Sequence, residues 1–360
     1  MKASLQGSGI NRRVFVSSLA VLPIPAVLRS RAAIAQDARG QLASWNDGPA
    51  KQAIIDFVRV TTDSSSSKFV PPEERIATFD QDGTLWVEHP MYTQVVYCLE
   101  RVPVVVAQKP QLKNREPFKT VLSGNREAMA KLSLRDLEEI LVATLTGMPV
   151  EVFETEAKKW IETAKHPRWE RPYTDLTYQP MLEVLQYLRE SGFKTYIVTG
   201  GGQDFVRIYS ERVYGIPPEQ VVGTASGTKY GYDKDGRPFL TKEPKLLLND
   251  NNAGKPEGIH LEIGRRPLAA FGNSTGDRQM LEYTGAGSGS RLMMVLLHDD
   301  AQRRIRLRSR ARASRYQGRH LYPGALRRGE KGQLDCHQHE ERLEAHLCLR
   351  LDERHCSMAD

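Results

Sequence analysis

Two aspartates separated by one residue are the feature of this sequence best suited to chemistry. Asp80 and Asp82 lie in the pentapeptide DQDGT, directly after the β-branched and aromatic run at 75–79. That run predicts a buried parallel strand, and Gly83 permits a sharp turn at its end. One carboxylate in such a turn can act as a nucleophile while the other transfers protons. A turn whose aspartates only satisfy backbone donors would have the same residues, so the rest of the chain must discriminate.

A hydroxyl followed by glycines is the second candidate feature. Thr199, Gly200 and Gly201 come directly after residues 193–198, which form another predicted strand. A threonine hydroxyl and glycine amides at the beginning of a helix can bind the oxygens of a phosphate group. A glycine-rich turn that only allows close packing of strand and helix fits the same residues, so this feature alone leaves both interpretations open.

Asn273 and Asp277 lie on one short turn after a later predicted strand. Their amide and carboxylate oxygens are ligands that Mg²⁺ accepts, although Asn273 contributes an oxygen without a charge. A lysine could balance the charge of a carboxylate nucleophile and a phosphate. Lys255, Lys242 and Lys245 are the candidates for this lysine, and the residues alone leave the choice among them open. A simple turn with a helix N-cap would explain Asn273 and Asp277 equally well when they are considered alone.

Strands and helices alternate through most of the chain. Apolar runs of strand length separated by amphipathic stretches predict an α/β fold with a doubly wound, Rossmann-like parallel sheet. The alternation covers 45–87 and 176–300, whereas 88–175 has only helical patterns and is predicted to be an inserted helical unit, with Ser133 as the N-cap of one helix and Gly147 just past its end. After the second candidate feature, the pattern predicts a helix at 204–214, a short strand at 220–223 and a hairpin at 230–239 with Asp235-Gly236 at its turn. Because ligands bind at the carboxyl ends of strands in such sheets, we expect the features above to converge on one site.

The order of these motifs resembles that of the haloacid dehalogenase-like (HAD) hydrolases. DQDGT is followed by Thr199 with its glycines, then by Lys255, and then by GNSTGD, in the order of the four motifs of that superfamily. The chain is identified as a member, similar to the phosphoserine phosphatase-like branch, with the helical insert as a C1-type cap. It departs from the usual pattern at Asn273, where the family motif has an aspartate.

The resemblance implies catalytic roles for three residues. Asp80 would attack phosphorus and form an aspartyl-phosphate, and Lys255 would balance the negative charge. Asp82 would protonate the leaving oxygen and later deprotonate a water molecule. Haloacid dehalogenases lack an acid at the position of Asp82 because a halide needs no proton, so Asp82 favours phosphate esters as substrates.

The resemblance also implies binding roles and an activity. Thr199, Gly200 and Gly201 would bind the phosphoryl group. The residues expected to hold Mg²⁺ are Asp80, Asp82 through its backbone carbonyl, Asn273 and Asp277. The expected activity is hydrolysis of small phosphate monoesters by an exported Mg²⁺-dependent phosphatase. The alternatives are a phosphomutase or phosphotransferase of the same fold, and a periplasmic phosphate-ester-binding protein with weakened catalysis.

The charge of the chain is concentrated at its two ends. The net charge is +7, with +5 in residues 1–35 and +6 in residues 301–360, so the stretch between them is mildly acidic. An acidic body is not typical of a nucleic-acid-binding protein. Residues 1–35 contain Arg12 and Arg13 before an apolar stretch, which predicts a twin-arginine-like export signal and a periplasmic location. Prolines interrupt that stretch, so we expect no stable membrane insertion.

The segment 303–360 does not have the composition of a folded unit. It is rich in arginine and carries cysteines and histidines whose spacings match no common zinc motif. A frameshift in the coding sequence near residue 302 would explain this composition, because the shifted reading frame encodes residues typical of ordinary helices and strands. We therefore expect this tail to be disordered, and stop codons in the other frame would contradict the hypothesis. Nothing in the sequence indicates an oligomeric state.

Overall fold

A six-stranded sheet forms the centre of the molecule. A computed structural model describes residues 42–298 of the chain, so the predictions for 1–35 and 303–360 lie outside the described residues. The strands are β1 Ile76–Phe79, β2 Lys194–Gly202, β3 Val221–Tyr232, β4 Pro238–Leu248, β5 Ala269–Gly272 and β6 Leu292–Val295. Their order in the sheet is β4-β3-β2-β1-β5-β6, and only β4 is antiparallel to its neighbour. The predicted doubly wound α/β fold is confirmed.

Helices cover the sheet and form a separate insert between β1 and β2. The α-helices of the described segment are α1 Pro49–Thr62, α2 Thr93–Gln108, α3 Phe118–Leu122, α4 Arg126–Met129, α5 Leu134–Leu145, α6 Val150–Thr163, α7 Gln179–Glu190, α8 Gln203–Arg207, α9 Ser210–Tyr214, α10 Gly254–Gly258 and α11 Arg278–Gly285. A π-helical turn at Ile259–Ile263 follows α10. Within 42–298, no helix has the length and apolar character needed to cross a bilayer.

The central strand β1 fixes the position of the DQDGT turn. All four residues of β1 are buried, and Phe79 pairs in register with Ile197 of β2 and Phe271 of β5. The rings of Phe79 and Phe271 stack with centroids 4.4 Å apart, so the ends of β1 and β5 are held side by side. From β1 the chain runs through the helical insert to β2, which lies on one side of β1 in the sheet, while β5 lies on the other side of β1. Ligands bind at such a switch point in sheets of this type.

Helices α2–α6 make up the insert, and local signals start and stop them as the sequence predicts. Ser133 and Asp136 form a reciprocal capping box at the beginning of α5, which satisfies backbone donors that have no partner within the helix. Gly147 follows α5 with a φ of 78°, a conformation that favours glycine. Both ends of α5 are therefore marked by residues close to it in the sequence.

The β3–β4 hairpin ties the insert to the sheet. Gly147 donates its backbone N–H to Lys242 O at 2.8 Å, and Lys242 N–H donates to Met148 O at 2.9 Å. The Lys242 ammonium pairs with Asp204 and lies 4.7 Å from the centroid of the Phe153 ring. Backbone pairing, an ion pair and a cation–π contact thus join β4 to two helices.

The sequence pattern predicts too short a hairpin and one helix that is too long. The turn at Asp235-Gly236 is confirmed, but β3 continues to Tyr232 and β4 runs to Leu248, well beyond the short strand predicted at 220–223. The stretch GTASGTKYGY has no alternating apolar pattern because much of it pairs only with β4, outside the core. The single helix predicted at 204–214 is divided into α8 and α9.

Candidate active site

The DQDGT turn continues the sheet before it bends away. Asp80 N–H donates to Phe271 O at 2.9 Å, so Asp80 is still held against β5. Gly83 has a φ of 82°, and its N–H donates to Trp86 O at 2.9 Å, which closes the turn. Asp80 is buried and Asp82 is half-buried. The turn therefore presents two carboxyl groups at the carboxyl end of the central strand.

Lys255 lies at the centre of the site and makes three hydrogen bonds. Its ammonium donates to Asp80 Oδ1 at 2.6 Å, to Asp277 Oδ1 at 2.6 Å and to Val198 O at 2.8 Å. The side chain is almost completely buried, so all three ammonium protons are used inside the protein. The two alternative lysines lie elsewhere, since Lys242 pairs with Asp204 and Lys245 is exposed.

The electrostatics of the site follow from burial and from this lysine. Burial by itself would lower the pKa of Lys255, but the charges of Asp80 and Asp277 together raise it above its ordinary value. Lys255 is therefore a permanent cation. Burial also raises the pKa of Asp80, and the Lys255 ammonium opposes that rise.

Asp82 has a different environment from Asp80. Its Oδ1 accepts a hydrogen bond from Trp86 Nε1 at 2.6 Å. Burial raises the pKa of Asp82 to about 6, while the Trp86 hydrogen bond opposes the rise. A carboxyl group with a pKa near neutrality can both donate and accept a proton. The two aspartates of the turn are thus separated in role by their partners.

Asp277 faces the lysine and its own turn. Its Oδ2 accepts from the backbone N–H groups of Asn273 and Ser274, each at 2.9 Å, while its Oδ1 accepts from Lys255. A Cβ on Gly272 would lie 2.5 Å from Asp277 Cβ, so only glycine allows this close approach. Both oxygens of Asp277 are therefore occupied by protein donors, and the carboxylate orients Lys255 and the turn.

Three oxygens converge beside Asp80 in a way that suits a small cation. The polar atom of the Asn273 side-chain amide that faces the core lies 3.1 Å from Asp82 O and 3.2 Å from Asp80 Oδ2. Adjacent ligands of an octahedral Mg²⁺ ion are about 3 Å apart, since Mg–O distances are about 2.1 Å. The residues present therefore fit Mg²⁺ through one carboxylate, one carbonyl and one amide. No cluster of three or more His, Cys, Asp or Glu side chains that could hold a metal occurs within 42–298.

The last residues of β2, which the sequence pattern had predicted to follow the strand, form a cradle opposite Asp82. Thr199 Oγ1 accepts from Gly201 N–H at 3.0 Å, which leaves its hydroxyl proton free to donate to a ligand. Gly200 is held by its carbonyl, which accepts from Thr224 Oγ1 at 2.8 Å. A Cβ on Gly201 would lie 3.3 Å from Thr199 Oγ1 and 4.0 Å from Asp82 Oδ2. Glycine at this position keeps open the space between the hydroxyl and the second aspartate.

A family model matches this arrangement of residues. The model of the haloacid dehalogenase-like hydrolases matches residues 77–282, which include the DQDGT turn, Thr199, Lys255 and the turn after β5. The chain belongs to this family. The predicted membership of the HAD superfamily and the hydrolase class are therefore confirmed.

Solved structures of similar fold come from several bacteria. A conserved protein of unknown function from Anaerococcus prevotii is 14% identical, with 73% of this chain and 90% of that chain covered and a TM-score of 0.44. A protein of unknown function from Bordetella pertussis is 17% identical, with coverages of 66% and 96% and a TM-score of 0.41. A phosphoserine phosphohydrolase-like protein from Francisella tularensis is 18% identical, with coverages of 59% and 84% and a TM-score of 0.33. No protein with a curated description matches this HAD chain.

Sequence reasoning missed Gln94, which the helical insert brings to the cradle. Gln94 lies in the first turn of α2, and its Oε1 accepts from Gly202 N–H at 2.6 Å. The same oxygen would be 3.6 Å from a Cβ on Gly201, so the amide lies beside the space between Thr199 and Asp82. A single glutamine in a helical pattern carries no signal, because its neighbour in space is 108 residues away in the sequence.

Asp250 is a buried acid that the sequence also did not indicate. Its backbone N–H donates to Thr224 Oγ1 at 3.2 Å. No well-formed hydrogen bond from the part of the chain that the structure describes reaches either carboxylate oxygen, although the Thr199 backbone is close enough to lower the pKa slightly. Burial dominates and raises the pKa of Asp250 to about 8, while Lys255 opposes the rise.

The raised pKa predicts that Asp250 makes the stability of the protein depend on pH. The folded state binds the Asp250 proton more tightly than the unfolded state, whose pKa is about 3.9. The stabilising contribution of the protonated acid is therefore lost as the pH rises from about 4 to about 8. We expect Asp250→Asn to raise the melting temperature relative to wild type more at pH 8 than at pH 5. Thermal unfolding across that range tests this, with the exposed-turn variant Asp235→Asn as the control, and parallel curves for wild type and Asp250→Asn would contradict it.

Proposed function

We propose that the protein is a Mg²⁺-dependent phosphatase that hydrolyses small phosphate monoesters through an aspartyl-phosphate, as in the phosphoserine phosphatase-like branch of the family. The observation that carries this proposal is the different treatment of the two aspartates. Asp80 accepts from the buried Lys255 ammonium, whereas Asp82 accepts from Trp86 Nε1 and lies across the cradle from Thr199. A fixed nucleophile beside an acid that can exchange protons is what ester hydrolysis requires.

In the first half of the reaction, Asp80 attacks phosphorus and the bond from phosphorus to the ester oxygen breaks. Asp82 gives its proton to that oxygen, so the product leaves as a neutral alcohol. Lys255 keeps Asp80 oriented and offsets the charge that gathers near it. The Thr199 hydroxyl donates its proton to a non-bridging phosphoryl oxygen, while its oxygen accepts from the Gly201 N–H.

In the second half, water attacks the phosphorus of the aspartyl-phosphate. Asp82, now ionised, takes a proton from this water, and the bond between phosphorus and Asp80 breaks to release phosphate. Asp82 is returned to its protonated form and Asp80 to its carboxylate. One proton donor thus serves both halves, which its near-neutral pKa permits.

The residues that would hold Mg²⁺ are Asp80, Asp82 through its carbonyl, and Asn273. When bound, Mg²⁺ offsets the negative charge of the phosphoryl group. Asp277 was expected to be a further ligand, and this stays a prediction; in the structure its Oδ1 accepts from Lys255 and its Oδ2 from the backbone N–H groups of Asn273 and Ser274. We therefore propose that Asp277 serves the site by fixing Lys255 and the turn that carries Asn273.

Release of phosphate from a panel of monoesters tests the function. We expect turnover with Mg²⁺ and a loss of at least about a hundredfold with EDTA, since the charge offset supplies several kcal/mol. Asp80→Asn is expected to abolish turnover and to leave the circular dichroism spectrum unchanged, and Asp235→Asn is expected to be fully active. Turnover by Asp80→Asn would contradict the mechanism. Stoichiometric ester binding without phosphate release would favour the binding protein, and activity that needs a bisphosphorylated activator would favour a mutase.

Gln94 is expected to support substrate binding from the helical insert. Gln94→Leu removes the acceptor for Gly202 N–H and an amide donor beside the cradle, and a lost hydrogen bond of about 1.5 kcal/mol corresponds to about a tenfold lower kcat/KM. The matched control is Gln108→Leu, at the exposed end of the same helix. Equal kcat/KM values for the two variants would show that Gln94 has no such role.

We also propose that residues 1–35 direct the protein to the periplasm. The adjacent Arg12 and Arg13 before the apolar stretch support this proposal. Fractionation of cells that express the full chain should recover phosphatase activity from the periplasm, and Arg12→Lys with Arg13→Lys should retain it in the cytoplasm. Equal distribution of both proteins would contradict export by this route.

A further inference from the structure

Glu88 contacts the one residue that departs from the family motif. The Asn273 carboxamide has two polar atoms. The outer atom, taken as Nδ2, lies 3.3 Å from Glu88 Oε2. The inner atom lies 3.2 Å from Asp80 Oδ2 and 3.1 Å from Asp82 O. With nitrogen outside, the amide donates to Glu88 and directs its oxygen inward. With nitrogen inside, the amide donates to the inner oxygens instead. The orientation of this amide therefore decides whether the site offers an oxygen or a hydrogen-bond donor.

The two orientations differ in what faces Glu88. With nitrogen inside, Asn273 Oδ1 would lie against the Glu88 carboxylate, and two acceptors would meet without a proton between them. The Glu88 side chain is only 18% exposed, so water relieves this repulsion incompletely. With nitrogen outside, Asn273 Oδ1 faces inward, where it accepts from the Thr84 hydroxyl at 3.3 Å but also lies 3.2 Å from Asp80 Oδ2 and 3.1 Å from Asp82 O. The repulsion then lies between Asn273 Oδ1 and these two acceptors. A cation at that point turns this repulsion into attraction.

Gly83 allows the contact between Glu88 and Asn273. A Cβ on Gly83 would lie 1.9 Å from Asn273 Nδ2 and 2.7 Å from the Glu88 carboxyl carbon. The two side chains therefore meet directly over the bare backbone of the DQDGT turn. The same glycine has a φ of 82°, so both the turn conformation and the contact require glycine at this position.

We infer that Glu88 is a positioning residue for the cation site: it accepts from Asn273 Nδ2 and so holds the Asn273 amide with its oxygen inward. The inference rests on the proposed Mg²⁺ dependence. A hydrogen bond from Nδ2 to a carboxylate also draws electron density toward Oδ1, which makes the amide oxygen a better ligand. Glu88 thus compensates for the neutral side chain at a position where the family motif has an acid.

The test is Mg²⁺ binding to metal-free protein, measured by isothermal titration calorimetry without substrate. Glu88→Leu removes both the acceptor and the charge, whereas Glu88→Gln keeps an acceptor for Asn273 Nδ2. Loss of a partner that orients a ligand costs about ten- to a hundredfold in metal affinity. We expect at least about a tenfold loss for Glu88→Leu and clearly less for Glu88→Gln. In an Asn273→Asp background, where both outer and inner atoms are oxygens, Glu88→Leu should cost less than about threefold.

Two comparisons separate this role from others. Glu211→Leu, at an exposed position on α9, should bind Mg²⁺ like wild type, and the melting temperatures of the metal-free variants should show that each is folded. Equal losses for Glu88→Gln and Glu88→Leu in both backgrounds would show a simple charge effect and overturn the inference. Unchanged affinity in both variants, with wild type still binding Mg²⁺ and hydrolysing esters, would overturn it and leave the proposed function standing. A wild-type protein that binds no Mg²⁺ would overturn both.

Discussion

The site depends on one buried ammonium group. Lys255 reaches from α10 into the space between β1, β2 and the turn after β5, and each of its three protons is donated to one of these elements. Removing it would leave Asp80 and Asp277 buried without their counter-charge, which costs several kcal/mol. The ends of three sheet segments are therefore held together by the same charge that a phosphoryl-transfer site requires, so structure and chemistry share one interaction.

Close approach of side chains to bare backbone is the second constraint. Gly83 lies under the contact of Asn273 with Glu88, and Gly272 lies against Asp277. Gly201 keeps open the space that a phosphoryl group would occupy. At Gly83 and Gly272 a Cβ would approach its neighbours more closely than ordinary packing tolerates. The glycines of these motifs therefore act through the room that they leave, and at Gly83 also through a positive φ.

The helical insert completes the site from the side that the sheet leaves open. Gln94 of α2 reaches the cradle at the end of β2, while the loop between α5 and α6 pairs with β4 through Lys242. Lys242, an alternative for the catalytic lysine at the level of sequence, thus joins the insert to the sheet.

The sequence by itself determined the alternation of strands and helices, the placement of Asp80, Asp82, Thr199 and Lys255 at strand ends or in turns, and the membership of the HAD family. These depend on local periodicity and on short motifs, which contiguous residues carry. The tertiary structure decided the contacts between distant segments: Gln94 with Gly202, Glu88 with Asn273, and the use of both Asp277 oxygens by protein donors. A local pattern cannot encode which atoms of two remote segments meet, because that depends on how the sheet twists and how the insert packs. The length of β3 and β4 was missed for the same reason, since strands that pair mostly with each other need no apolar alternation.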